Sequence, residues 1–283
     1  MSRPAVALPR GAPPRKSSVA PAALGRALPG FTYELGQMAW LAGQVIRRSL
    51  RRPLDYGPEF ASQFRFAVRL GWFPLLVTTF AFSFGPLAVN ASGFLELVGA
   101  LDRLGVLFST IALRETGPLV TTIVCAGILG TAMCADLGAR KVREELDALA
   151  VLGVEPIKQL VVPRFLVLVA VALLFNSFAV LAGFAGGIVA EIQRHAPLGP
   201  FFKAFLNGGT TIEVAASYAK CVIEGAIIAI VCCYKGLTVS GGAEGVGRAV
   251  NKSVVICFLA IAATNYVFTQ AVLAGFPTLT EVR

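Results

Sequence analysis

Lys220 and Glu224 stand one helical turn apart inside an otherwise apolar run, Val214–Tyr234. A charge there is expensive and marks either a buried pair or a function. Three chemistries are open to them: an ion pair locking one helix face, a polar cavity that changes with conformation, or proton transfer. The last is the weakest, because no further ionisable residues continue a path through the run. Arg114 and Glu115, in the sequence RETGP at the head of another apolar run, raise a parallel choice between a gate at the membrane boundary and simple interface anchoring.

Other chemistry is poorly supplied. His195 is the only histidine, which argues against Ser-His-Asp or Cys-His catalysis and against a His-based metal site, and reads as a solvated loop residue. The six cysteines form no CxxC pair and lie in or beside apolar runs, so they read as small packing residues. No GxxxxGK[ST] loop is present to cradle nucleotide phosphates. The glycine-rich GGAEGVGRA, Gly241–Ala249, lacks the GxGxxG order and reads as a flexible turn with a close-packed backbone.

The elements that must position these residues are membrane helices. The chain has 283 residues, 56% hydrophobic and only 14% charged, where a soluble domain carries about a quarter charged residues. Five uncharged or nearly uncharged runs are long enough to span, at about 20 residues each: Leu70–Asn90, Thr116–Ala135, Phe165–Ala190, Val214–Tyr234 and Ser253–Ala274. Leu104–Leu113 is too short and reads as a re-entrant or half-inserted segment leading into the second span. Residues 1–30, rich in Pro, Ala, Arg and Ser, read as a disordered cytoplasmic tail. Residues 31–69 mix Trp40, Ile46 and Leu50 with Arg47, Arg48, Arg51 and Arg52, the pattern of an interfacial helix whose arginines reach lipid phosphates. Residues 70–283 then form the transmembrane domain. Gly183 with Gly187, and Ala126 with Gly130, allow close helix approach.

The net charge of +9 follows topology rather than nucleic-acid binding. Lys and Arg concentrate before the first span, in Gly138–Arg164 and in Lys235–Lys252, and thin out in the alternate loops. That places the N-terminus in the cytoplasm and the C-terminus outside. Gly138–Arg164 is the most informative loop. Val142, Leu146, Leu149 and Ala150 fall at helical spacing on one apolar face, and Arg140, Lys141, Arg143, Glu144, Glu145 and Asp147 cover the rest. A short two-faced helix between spans suits docking to a soluble partner.

Three stretches, RETGPLVTTIVCAG, ADLGARKVREELDALAVLGVEPIKQLVVPR and CYKGLTVSGGAEGVGRAV, closely resemble the MlaE/YrbE permeases, the membrane subunits of ABC-type lipid transporters that work with MCE proteins. The resemblance runs from Arg47 to Phe276, and its wording is closest to the first YrbE permease of actinobacterial mce operons. It implies an all-α integral membrane protein, with the interfacial helix and five spans above. It also implies a second, non-identical YrbE-type permease, a cytoplasmic ATPase dimer and MCE proteins on the outer side. The chain itself would be non-catalytic and bind no cofactor or metal, with ATP and Mg held by the ATPase. Val142, Glu144, Glu145, Leu146, Asp147 and Leu149 would belong to the coupling helix. Phe80, Phe84 and Leu119 are lipid-lining candidates, and Arg114, Glu115, Lys220 and Glu224 gating or cavity candidates. The cargo class is fatty acids, sterols or phospholipids, moved by import across the plasma membrane. An ion-coupled secondary transporter and a membrane-embedded lipid-modifying enzyme are the rival classes; the first needs coupling-ion residues and usually an internal repeat, which the sequence lacks.

Overall fold

The structure is a computed structural model that describes residues 30–49, 56–100, 103–195 and 197–276. Residues 1–29 of the tail expected at 1–30, residues 277–283, and Leu50, Arg51 and Arg52 lie outside these residues, while Gly30 already opens a helix. By internal packing the chain divides into Met1–Gln37 and Met38–Arg283. The first unit contributes the opening turns of α1 (Gly30–Ser49).

The regular secondary structure of the second unit is helical, with no strand among its described residues. After α1 come α2 (Gly57–Phe82), α3 (Asn90–Leu97), α4 (Leu104–Ile111), α5 (Gly117–Val124), α6 (Thr131–Val142), α7 (Glu145–Val151), α8 (Val162–Gln193), α9 (Leu198–Gly208), α10 (Thr211–Leu237) and α11 (Gly242–Gly275). Five helical stretches are long and apolar enough to cross a bilayer: Gly57–Leu97, Leu104–Val142, Ile157–Gln193, Thr211–Leu237 and Gly242–Gly275. The protein is a multi-pass, all-α membrane protein. Each helix overshoots its apolar run, because the backbone keeps its hydrogen bonds past the end of the hydrocarbon.

Two expectations change. Leu104–Leu113 is no separate re-entrant piece: α4, a wide turn at Ala112–Thr116, α5, a second wide turn at Cys125–Gly130 and α6 follow without interruption. The segment looked short only because Arg114 and Glu115 end its uncharged run. GGAEGVGRA is likewise not a turn over its length. Gly241 and Gly242 take left-handed φ of 89° and 68°, and the helix then begins.

Proline placement explains the wide turns. Pro118 lacks the N–H that would bond the Arg114 carbonyl, and its ring crowds that oxygen. The chain responds with a π turn in which the Gly117 N–H reaches back to the Ala112 carbonyl. Only glycine fits here, since a Cβ on Gly117 would stand 2.7 Å from the Ala112 oxygen and 3.0 Å from Asn176 Oδ1.

α8 is the central helix, packed against α2, α5 and α10. The main core gathers Leu75, Val124, Leu168, Phe175 and Ile228 from these helices and Leu129 from the second wide turn, and α1 adds Met38, Leu41 and Val45. Trp40 and Ile46 of α1 are exposed. A smaller aromatic cluster at the other end joins Phe108 and Phe184 to Phe201 and Phe205 of α9. All six cysteines are buried free thiols.

Candidate functional site

Two regions gather the charged side chains, one in the α6–α8 loop and one toward the α9 end of α10. In the loop, α6 stops at Val142 and Glu144 takes a left-handed conformation, φ 60°. The kink separates Val142 from α7, so Val142, Leu146, Leu149 and Ala150 do not share one helix face as their spacing suggested. Leu146 is 6% exposed and sits in the main core, and Leu149 packs against it. These two residues anchor the loop to the helical bundle rather than present a docking face.

What α7 exposes is different. Val151 is 87% and Leu152 76% exposed at its tip. There Gly153 (φ 77°) closes the helix: its N–H bonds the Ala150 carbonyl, and the Val154 N–H bonds the Leu149 carbonyl. Charges brace the kink from both sides. Lys141 Nζ meets Asp147 at 3.2 Å, and Arg143 Nε meets Glu145 at 2.7 Å. Among the described residues Glu144 holds no ion pair and is exposed.

Arg164, at the foot of α8, is fully buried; Nη1 donates to the Leu160 carbonyl at 2.6 Å and Nη2 to Asp136 of α6. Asp136 also takes Arg140, and Arg48 of α1 reaches Glu155 at 3.5 Å. The loop is thereby fastened to α1, α6 and α8. Sequence reasoning missed Arg164, although an arginine directly after Pro163, at the edge of a long apolar run, was the signal.

The second region gathers three of the four gating candidates. Arg114 Nε donates to Glu213 Oε1 at 2.6 Å. Glu213 also caps α10, accepting from the Thr210 N–H at 2.9 Å, while Thr210 Oγ1 accepts from the Glu213 N–H. Lys220 Nζ donates to the Arg114 carbonyl at 2.7 Å, Asn265 Oδ1 at 2.8 Å and Thr269 Oγ1 at 2.9 Å. Asn265 Nδ2 and Thr269 Oγ1 donate in turn to Glu115, whose Oε1 lies 3.7 Å from Lys220 Nζ. The carbonyl released by Pro118 is thus one of the lysine's acceptors. A cavity of about 20 Å³, lined by Arg114, Glu213, Ser217, Lys220 and Thr269 among others, adjoins the network; it has room for one water.

Lys220 and Glu224 do not form the pair their spacing allowed. Glu224, fully buried, accepts from Thr122 Oγ1 at 2.8 Å, and its second oxygen has no partner. The side chains diverge because α11 offers Lys220 better acceptors. Asn265, Thr269, Glu213 and Thr122 were missed; polar residues one turn apart in the fifth span and the Thr-x-x-Glu start of α10 were their signals. Of the lipid-lining candidates, Phe80 stacks on Phe84, ring centroids 6.0 Å apart. Leu119 packs on the main core instead.

A family profile described as Permease MlaE matches residues 60–271. The chain belongs to the MlaE permease family. The MlaE profile begins within α2 and ends within α11, so it takes in both regions above. A probable ABC transporter permease protein of Synechocystis sp. is 35% identical over 179 residues, 62% of this chain and 68% of that protein. The chloroplastic protein TRIGALACTOSYLDIACYLGLYCEROL 1 of Arabidopsis thaliana is 29% identical over 253 residues, 83% of this chain and 67% of that protein. The intermembrane phospholipid transport system permease protein MlaE of Haemophilus influenzae is 24% identical over 256 residues, 87% and 95% of the two chains.

Proposed function

We propose that this chain is the non-enzymatic permease subunit of an ATP-driven ABC transporter that sits in the plasma membrane and moves lipid across the cell envelope. The match to the MlaE permease family over residues 60–271 carries this reading. The names of the relatives from Synechocystis sp. and Haemophilus influenzae point the same way. On this reading a separate ATPase holds ATP and Mg, and the chain binds no cofactor. A second YrbE-type permease completes the membrane domain, and MCE proteins stand on the outer side. The end bearing α7 faces the cytoplasm, in keeping with its basic residues. The cargo is a fatty acid, sterol or phospholipid, and the direction is import.

The ATPase docks on the α6–α8 loop. Val142, Glu144, Val151 and Leu152 offer an apolar and acidic contact, while Glu145, Leu146, Asp147 and Leu149 hold its shape. Asp136 and Arg164 tie that loop to α6 and α8, so a push on α7 reaches the spans. Arg114, Glu115 and Lys220 form the gate, tying the wide turn before α5 to α10 and α11. Opening it separates α11 from α10 beside the small cavity and gives a headgroup access to the bundle. Phe80 and Phe84 line the lipid's route.

Purification with its cognate ATPase, followed by uptake of labelled lipid, tests the reading. ATPase co-isolation and uptake that stops with a hydrolysis-dead ATPase are expected. Uptake driven by an ion gradient without the ATPase, or conversion of the lipid to a new product, overturns it.

A further inference from the structure

Glu224 is fully buried in α10 and takes no part in the gate. Its surroundings are short of hydrogens. Lys220, one turn away, has three on Nζ, and all three are engaged, by the Arg114 carbonyl, Asn265 Oδ1 and Thr269 Oγ1. Among the described residues the partner of Glu224 is Thr122 Oγ1, 2.8 Å from Oε2, while Oε1 has none.

That hydroxyl has a single hydrogen and three oxygens around it. Besides Glu224 it stands 2.9 Å from the Pro118 carbonyl and 3.2 Å from the Leu119 carbonyl. An ionised Glu224 must draw the hydrogen away from the backbone, and its charge still keeps one oxygen bare in a site closed to water. A protonated Glu224 matches every group. Oε2–H then donates to Thr122 Oγ1, and the threonine hydrogen goes to the Pro118 carbonyl, the usual back-bond of a threonine within a helix. The bare oxygen belongs to a neutral acid, which costs far less to leave unmet than a charge.

The neighbouring helices supply no other counter-charge. α8 passes Gly225, the next residue, with Leu168, Val169 and Ala172. α11 meets Lys220 at Asn265 and Cys232 at Cys257, and Phe258 to Thr264 between them hold no ionisable group. The ionisable groups around Glu224 are Lys220 and Cys221 of its own helix, Cys125 of the second wide turn, and Glu115 beside the lysine.

We propose that Glu224 is a proton-binding site within the fourth span, a neutral acid while Lys220 pairs with Glu115 and the lysine's counter-ion once that pairing is lost. The one-turn spacing of Lys220 and Glu224 is used only in the second state. In the exchange the proton leaves Glu224 Oε2 for water, and the carboxylate left behind pairs with the Lys220 ammonium, which keeps its own protons. One proton is stored and none is relayed, since no ionisable path continues from the site. The proton site stands on the packing alone; the link to opening rests on the reading of Glu115 and Lys220 as part of the gate. On that reading each opening frees one proton per chain, and acid holds the gate shut.

Infrared spectroscopy tests this without a transport assay. The protein, purified with whatever subunits accompany it, is placed in nanodiscs at neutral pH. A protonated carboxyl has a carbonyl stretch separate from those of carboxylates and amides. The wild-type spectrum minus that of Glu224→Gln should show this band at the intensity of one carboxyl per chain. In a Glu115→Gln background the same subtraction should show none, and adding Lys220→Met to that background should bring the band back. Glu115→Ala serves if the glutamine variant does not assemble, and matched size-exclusion profiles check folding throughout. A wild-type difference without the band overturns the proposal, as does a band that survives the loss of Glu115. Failure of Lys220→Met to restore it also overturns the exchange, because the lysine is then not the cause. If the transport reading fails, these spectra are unchanged.

Discussion

Lys220 is stabilised by groups far away in sequence, and this determines which second substitution can rescue its loss. Removing the ammonium leaves Glu115 and three neutral acceptors, the Arg114 carbonyl, Asn265 Oδ1 and Thr269 Oγ1, without their donor. Breaking a fully buried pair costs about 3–5 kcal/mol, and the 37% exposure of Glu115 brings the cost below that. Lys220→Met should therefore lower the melting temperature of the purified protein. Adding Glu115→Gln should restore most of it, because the carboxylate 3.7 Å from Nζ is then neutral. Adding Glu224→Gln should not, since Glu224 is held by Thr122. Thermal unfolding of the three variants decides; rescue by Glu224→Gln alone would return the pair to the two residues one turn apart.

At the scale of the element, Pro118 links a helix defect to a side chain on another span. Pro118→Ala supplies the N–H that the Arg114 carbonyl lacks, so that oxygen depends less on Lys220 Nζ, 2.7 Å away. A double-mutant cycle between Pro118→Ala and Lys220→Met should give a coupling of about 0.5–2 kcal/mol. Additive effects in denaturant unfolding would show that the wide turn and the lysine are independent. The α6–α8 loop makes a second contrast. Leu146→Arg forces a charge into the core and should cost the permease itself about 3 kcal/mol or more, reducing the amount of folded chain. Leu152→Arg, at a position 76% exposed, should leave folding intact and weaken ATPase association instead. Pull-down and fluorescence-detected size exclusion separate the two, and equal yields for both variants would contradict the packing of Leu146.

For the whole molecule, the alternation of the five long helices places α7 and α9 at opposite ends of the bundle. With the buried native cysteines replaced, a cysteine at Leu206 should react with a membrane-impermeant maleimide in intact cells. One at Val151 should react only after lysis. Both positions are strongly exposed, so protection reports the membrane rather than packing. Labelling of both from outside would contradict the orientation.

The spans, the membrane class and the family resemblance were legible in the sequence because each is a local property. A run such as Phe165–Ala190 commits its own residues to hydrocarbon wherever it packs, and RETGP and the Gly138–Arg164 loop are contiguous words. The prolines and glycines also acted locally: Pro118 widened the turn before α5, and Gly153 closed α7. Which charge meets which could not be read this way. Lys220 and Glu224 share a helix face at a spacing that permits pairing, yet Asn265 and Thr269 of α11 and Glu115 from another span compete for the lysine. Leu146 had the spacing of a docking residue, and only the kink at Glu144 turned it into the core. A buried charge takes the partners that the packed helices bring within hydrogen-bond reach, and that geometry exists only once α5, α10 and α11 are assembled.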